Sequence, residues 1–395
     1  MTPPISTTDT KLVRRLALGV MSIGFGQSAF VVLIPLIMAR LGLATIDLGL
    51  AVAAGTLAFL VGAPLWGSVG GSIGHGRLMR LLGLAMLGAQ ALLVAQLLMG
   101  QSAYAFVLAG LVASRLIYGF AAAGVMPTAQ AWLAGTIEAE RRQAAFGLLG
   151  AGLNLGRLAG SLAGALAAIT AQLTVALFAL APLLLWLAPK GATKLEPGAV
   201  AVPRLSPLDH RILPFLLIGV SLTAGFGQVQ IMLGPLLQWK LGLNASGATA
   251  ATGAALALVA VAMITVQVLA IPRLRWSERS GILAGTGLIV AGMAGLVMAQ
   301  GYGAGAAALV TTGFGTALAT PAYTAWLARR VDTQEQGAAA GWLSSAHIVG
   351  QTVGALVGGF AFHLAPMLPL VGCAGLAVVA AAIAVALRGR METHR

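Results

Sequence analysis

The sequence predicts an all-α membrane protein with twelve transmembrane helices in two pseudo-symmetric six-helix bundles. Three observations predict it. Of 395 residues, 59% are apolar and only 8% charged, with a mean hydropathy of +0.94, whereas a soluble domain is about 25% charged. Apolar runs of about 20 residues, the length that crosses the hydrocarbon of a bilayer, recur twelve times along the chain. The second half of the chain also repeats the first at a nearly constant offset.

The runs can be justified in order by the charges that bound them. The first, 16–39, follows Lys11, Arg14 and Arg15 and stops at Arg40. Runs 47–68 and 78–98 flank a loop with Arg77 and Arg80. Runs 104–134 and 144–170 are joined across Arg141 and Arg142, and 172–188 leads into a polar stretch with Lys190, Lys194, Glu196, Pro197, Pro203, Arg204 and Pro207. In the second half, 212–238 ends before Lys240, and 247–271 and 280–300 flank Arg273, Arg275 and Arg279. Runs 303–328 and 337–363 flank Arg329 and Arg330, and 366–387 precedes Arg388, Arg390 and Arg395. The expected organisation is therefore a bundle over 1–188, a cytoplasmic linker over 189–211, and a bundle over 212–395.

A net charge of +13 invites a nucleic-acid reading, and the placement of the charges dismisses it. The basic residues crowd into the N-terminus, the even-numbered loops and the C-terminus, while the other face carries only Arg40 and Lys240. By the positive-inside rule both termini are cytoplasmic. The polar start, "MTPPISTTDT", and the long first run do not fit a cleaved secretory signal, so span one is expected to be retained. About ten residues before Lys11 and eight after Leu387 leave little room for an added sensor domain. The single cysteine, Cys373, excludes an intrachain disulfide and a Cys-based metal site and reads as inert packing.

The repeat is visible by eye. "GFGQSAFVVLIPLIMARLGL" from Gly24 matches "GFGQVQIMLGPLLQWKLGL" from Gly225, and Pro35 pairs with Pro235. "GFAAAGVMPTAQAWLA" from Gly119 matches "GFGTALATPAYTAWLA" from Gly313, pairing Pro127 with Pro321 and Trp132 with Trp326 at an offset of 194. The same offset carries Glu138 to Asp332, and Gly147, Gly156, Gly160 and Gly164 to Gly341, Gly350, Gly354 and Gly358. Six spans separate the halves, so they run in the same direction. Parallel halves of this kind are a transporter architecture, with the substrate expected near the midplane between them.

With these residues in view, the chain resembles the major facilitator superfamily, and its twelve-span drug:proton antiporter branch in particular, over essentially its whole length. "RLIYGFAAAG" from Arg115 resembles the fourth-span motif of that family, and "GLNLGRLAGSLAG" its fifth-span antiporter motif. The resemblance implies that the stripe Gly152, Gly156, Gly160, Gly164 lets the two halves pack closely and rock, with Pro127 and Pro321 in gating helices. The chain also departs from the family pattern. In "GSVGGSIGHGR" Gly71 and Ser72 stand at the acidic and basic positions, the motif proline is Ser161, and Gly135 replaces an acid.

The ten acidic residues all fall in loops, termini or span edges. Cation exporters of the resembled family commonly use a buried carboxylate, raised in pKa by desolvation, to hold the substrate and carry a proton, and here Gln27 and Gln228 stand where such groups could sit. Organic cations are therefore disfavoured. Asp47 reads either as a helix N-terminal charge or as the nearest acid to a pathway.

Arg115 and Arg157 fall inside spans, where each costs about 2.5–3.5 kcal/mol on the mild insertion scale and must face protein or a wet cavity. Either can grip a substrate carboxylate, phosphate or sulfonate bidentately, or can fix helix packing instead. Asn154, Gln27, Gln130, Gln228, Tyr323 and Gln351, together with Tyr118, Gln230 and Gln238, are candidate lining residues or interhelical hydrogen-bond partners. His347 titrates near neutrality and is either a proton carrier or structural. Trp66, Trp132, Trp186 and Trp326 read as an interfacial belt. The Gly-x-Gly patterns lack a strand and a Gly-Lys-Ser/Thr signature, so ATP drive is unsupported.

The expectation is thus a secondary transporter of the bacterial inner membrane that exports a small organic anion or zwitterion by alternating access: a carboxylate metabolite, a siderophore or an acidic drug. Import, anion exchange or proton-coupled multidrug efflux are the alternatives. The expected partners are the solute, protons and the bilayer, with the protein a monomer that needs no cofactor, metal or nucleic acid and is not an enzyme.

Overall fold

The computed structural model describes residues 7–100, 102–189, 205–271, 273, 276–332 and 335–392. Most of the expected linker, including Lys190, Lys194, Glu196, Pro197, Pro203 and Arg204, lies outside the described residues, as do Arg275 and Arg395. So do the side chains of Ser72, Arg141, Arg388 and Arg390. The described residues are all helical in their regular structure. The twelve helices are α1 (Thr7–Leu41), α2 (Thr45–Ile73), α3 (His75–Met99), α4 (Tyr104–Thr136), α5 (Ala139–Ala165), α6 (Ala171–Leu180), α7 (Leu213–Leu241), α8 (Ala245–Thr265), α9 (Glu278–Met298), α10 (Tyr302–Ala328), α11 (Gln336–Leu364) and α12 (Leu368–Glu392). Among the described residues, nine meet the length and hydropathy of a membrane span taken singly.

Three helices change pitch at their C-terminal ends, the first being α5, which tightens into a 3₁₀ turn over Leu166–Ala168. After α6 the chain tightens into a 3₁₀ segment, Ala181–Leu187, with Pro182 in its first turn. Proline has no N–H to continue the α ladder. Beyond α8 the turn widens to a π segment over Val266–Ala270.

The repeat extends to the helix ends. Gly42 ends α1 at φ 67° and Gly242 ends α7 at φ 63°, a left-handed conformation that costs glycine no Cβ clash. In both, the next residue closes a six-residue loop: Leu43 N–H donates to Met38 O at 3.3 Å and Leu243 N–H to Gln238 O at 3.2 Å. The following helices use opposite halves of one capping box. Ala44 N–H donates to Asp47 Oδ2 at 2.8 Å, whereas Gly247 N–H donates to Asn244 Oδ1 at 2.7 Å. Asp47 thus has a capping role at the start of α2. Lys240 caps α9, donating to the carbonyls of Leu296 and Val297 at 2.7 Å each.

The chain divides into two compact units. The first holds residues 1–43, 54–199 and 244–254, and the second 44–53, 200–243 and 255–395. Each therefore includes the opening turns of a helix from the other half of the sequence. In the second unit, Thr45 Oγ1 donates to Gly359 O at 3.2 Å. In the first, Ser246 Oγ donates to Ala167 O at 2.6 Å.

Within the first unit the glycine stripe of α5 lies on α1. A Cβ at Gly152 would meet Ala17 O, one at Gly156 Met21 O, one at Gly160 Phe25 O, and one at Gly164 the Val32 side chain. At its end the stripe also reaches the second half of the sequence, where a Cβ at Gly253 of α8 would meet Ser161 O and the Gly164 backbone. Four small residues spaced by one turn let two backbones of one unit touch, and in lipid such close packing replaces the hydrophobic drive that helices lack there. In the second unit α11 lies on α7 in the same way, through Gly350, Gly354 and Gly358 against Val220, Ala224 and Gln228.

The core of the first unit gathers Leu16, Leu78, Met79, Leu82, Met86 and Trp132, and that of the second Phe215, Ile282, Tyr323, Trp326 and Leu343. Trp132 and Trp326 are thus core residues, which corrects their reading as part of an interfacial belt. Trp132 stacks on His75 and Trp326 meets Phe215 edge-on. Pro127 and Pro321 sit inside α4 and α10.

Candidate functional site

Arg157 lies about two turns before the end of α5 at Ala165. At 100° per residue α5 presents three faces. Gly152, Gly156 and Gly160 touch α1, while Leu148, Leu155 and Leu162 form an exposed apolar face. The third face carries Gly147, Gly150, Asn154 and Arg157. Nothing approaches a Cβ position at Gly147 or Gly150, and Asn154 and Arg157 are exposed. This face is open and polar.

Among the described residues the Arg157 guanidinium makes one hydrogen bond, from Nη2 to Gln27 Oε1 of α1 at 3.5 Å. That bond is long and its partner neutral, and no carboxylate pairs with Arg157 among the described residues. Beneath it Ser161 Oγ donates to Arg157 O at 3.0 Å and meets Ser28 Oγ at 3.0 Å, which ties α5 to α1 below the charge. The result is a held cation with no counter-ion and most of its donors unused among the described residues.

Arg115 has a different environment. It is 5% exposed and its guanidinium carbon lies 4.2 Å from the Phe30 ring centroid, 5.0 Å from Tyr118 and 5.9 Å from Phe178. Nη2 donates to Ser114 Oγ at 3.1 Å, and Nε has no partner. Three aromatic rings from α1, α4 and α6 take the place of a counter-ion through their negative faces. Nothing in the sequence signalled that cage, because Phe30 and Phe178 are far from Arg115 along the chain.

Of the other candidates, Asn154 and Gln130 are exposed and Gln27 is half-buried. Gln228 is buried against Gly358 and Gly372 and has no open face. In the second unit Gln351 Nε2 donates to Gln230 Oε1 of α7 at 3.3 Å. Tyr323 and His347 form a pair, with Oη and Nε2 at 2.7 Å and the rings edge-on. His347 is half-buried against Gly219 of α7.

One ionic cluster was not foreseen. Arg211, just before α7, donates to both carboxylate oxygens of Glu335 at 2.9 and 3.0 Å, and to Asp209 Oδ2 at 2.8 Å. Hydrogen bonds from Arg211 hold the Asp209 and Glu335 carboxyls below their usual range, and Asp209 and Glu335 hold the guanidinium above its own. Glu335 also accepts from Asp332 N–H at 3.2 Å. The cluster ties the approach to α7 to the approach to α11.

The family described as Major Facilitator Superfamily matches residues 16–301. No curated protein matches in sequence. Among solved structures, a bacterial homolog of the human lysosomal transporter Spinster, in an inward-facing and occupied conformation, is similar at a TM-score of 0.72 and 15% identity, covering 98% of each chain. The human organic anion transporter MFSD10 (TETRAN) is similar at 0.64 and 17% identity, covering 97% of this chain and 100% of its own. The nucleoside transporter NupG is similar at 0.72 and 13% identity, covering 97% and 99%. At these identities the likeness is one of fold.

Proposed function

The chain belongs to the Major Facilitator Superfamily, and from that premise we propose that it exports a small organic anion or zwitterion by alternating access, with Arg157 as the group that receives the anionic end. The family and its transporter relatives make it a multi-pass secondary transporter rather than an enzyme. The observation that carries the anion reading is the state of Arg157: exposed on a polar helix face, hydrogen-bonded to a neutral amide, and without a carboxylate partner among the described residues. A guanidinium so placed binds a carboxylate, phosphate or sulfonate through charge-assisted, bidentate hydrogen bonds. Gln27 and Asn154 supply neutral donors and acceptors beside it. Arg115, sealed under three rings, belongs to packing in this reading.

Export, and membership of the drug:proton antiporter branch, are supported by the likeness of "GLNLGRLAGSLAG" to the antiporter motif. Proton coupling runs through His347 in this reading, with Tyr323 as its hydrogen-bond partner. Location in a bacterial inner membrane with both termini cytoplasmic rests on the placement of the basic residues.

The test is flux in proteoliposomes of labelled organic anions against lipophilic cations, with and without a pH gradient. The reading expects anion flux that depends on the gradient in wild type. Arg157→Ala should weaken anion binding by about 1.5–3 kcal/mol, the worth of a hydrogen bond to a charged group. Movement of cations alone would sink the proposal.

A further inference from the structure

The first unit carries an apolar groove that the anion reading does not use. It runs between α2 and α3 over α4 and has a volume of about 420 Å³, with Ala58 and Trp66 on one wall, Leu81 and Ala85 on the other, and Ile117 and Phe120 in its floor. Both walls rest on α4. A Cβ at Gly62 of α2 would meet Phe120 O, and one at Gly124 of α4 would meet both the Trp66 ring and Leu82 of α3. The one polar atom among the lining side chains, Trp66 Nε1, donates to Phe120 O at 2.7 Å. That bond fixes the ring, and the lining side chains offer an occupant no free hydrogen bond. Leu81 and Ile117 are exposed at the rim, so the groove opens outward, on a surface that a membrane-spanning chain turns to lipid.

Size and charge say what fills it. Ala58 and Trp66 are eight residues apart on α2, so the groove is about 12 Å long. A helix about 10 Å across occupies roughly 900 Å³ over that length, twice the space present, whereas a single hydrocarbon chain is thin and bends to fit. Helices in lipid have no hydrophobic drive to close such a gap on each other. The groove also has a charged end. Trp66 and Leu81 stand level, about 10 Å above the turn that joins α2 at Ile73 to α3 at His75. Between them and that turn, Arg77 precedes Leu81 by four residues and shares its face of α3. Arg77 is exposed, and no carboxylate pairs with it among the described residues. An unpaired cation at the membrane edge, with hydrocarbon-sized space one turn deeper, has the spacing of a phosphate and the chain below it.

We propose that the groove between α2 and α3 holds one acyl chain of an anionic phospholipid whose phosphate is received by Arg77. The site goes beyond the anion reading and stands without it, since Arg157 has no part in it and the lipid is a resident of the protein's surface, not its cargo.

The test is native mass spectrometry of the full-length protein in detergent, titrated with palmitoyl-oleoyl phosphatidylglycerol or with the phosphatidylcholine of the same chains. Wild type should retain the first phosphatidylglycerol about fivefold more tightly than phosphatidylcholine, the worth of one basic residue facing anionic lipid. Arg77→Gln should bring the two lipids within about twofold of each other and leave the affinity for phosphatidylcholine unchanged. Ala58→Phe, which fills the groove from its wall, should abolish the tight first step for both. Thermal unfolding in the same detergent shows that each variant is folded and gives a second readout: phosphatidylglycerol raises the Tm of wild type with concentration and leaves that of Ala58→Phe where it was. Equal retention of the two lipids by wild type would overturn the proposal, as would wild-type binding by Ala58→Phe or an undiminished preference in Arg77→Gln. Competition by glycerol 3-phosphate as strong as that of the lipid would make Arg77 a site for soluble phosphates instead. A dimer that Ala58→Phe dissociates would make a second copy of the chain the occupant. None of these outcomes bears on anion flux through Arg157, so the two readings fail separately.

Discussion

The α1–α5 pair and the α7–α11 pair are built from one repeated plan and have diverged where it matters. Both bring two backbones together through glycines one turn apart, and both place a side-chain hydrogen bond between the same two helices. In the first pair that bond joins Arg157 to Gln27, and in the second it joins Gln351 to Gln230. One pair holds a charge with unspent donors, and the other holds a neutral amide pair. Packing residues persisted through the duplication because a Cβ on the seam meets backbone. The polar positions touch little and were free to change their chemistry.

The comparison can be broken most severely at the seam. Gly156→Leu would drive a side chain into Met21 O and the Phe25 backbone, beyond the usual 1–3 kcal/mol of an overpacked core, because backbone cannot yield. Loss of the monodisperse peak in size-exclusion chromatography is the expected result. Gly150→Ala, one helix face away with open space at its Cβ, should keep the peak and gain about 0.5–1 kcal/mol from helix propensity. If both behave alike, the seam is not where stability lies.

The next effect is on affinity. Arg157→Gln makes the first pair resemble the second, and it should lower anion affinity about 10- to 100-fold in equilibrium binding while leaving the fold intact. Gln351→Ala should change anion affinity by less than about threefold. A reversed ranking would move the charge-reading site to the second unit.

A smaller effect distinguishes the approaches to α7 and α11. Because Arg211 lowers the carboxyls of Asp209 and Glu335, the stability they contribute is present above their ordinary pKa, near 4. It is lost as pH falls through the lowered folded values. Glu335→Gln should therefore reduce Tm at pH 7, reduce it equally at pH 9, and make little difference near pH 2. A Tm gap that survives acid would assign the contribution to shape and not to charge.

The smallest change lies at the capping box. Asp47→Ala removes the acceptor for Ala44 N–H and should cost about 0.5–2 kcal/mol by chemical unfolding while leaving transport unchanged. A loss of flux with normal stability would make Asp47 a coupling residue after all.

By itself the sequence determined the membrane class, the twelve spans, the duplication and the family. These rest on hydropathy, length and residue spacing, which are local properties that survive without knowledge of contacts. It also singled out Arg115 and Arg157 as costly cations and favoured Arg157, but it could not show what surrounds either one. Their difference is made by residues distant in the chain: Phe30 and Phe178 close over Arg115, while Gly147 and Gly150 leave the face around Arg157 open. The partner of the glycine stripe, the burial of Trp132 and Trp326, the Arg211 cluster and the groove between α2 and α3 were likewise decided only by tertiary structure. A helix's periodicity says which residues share a face, and only packing says what that face meets.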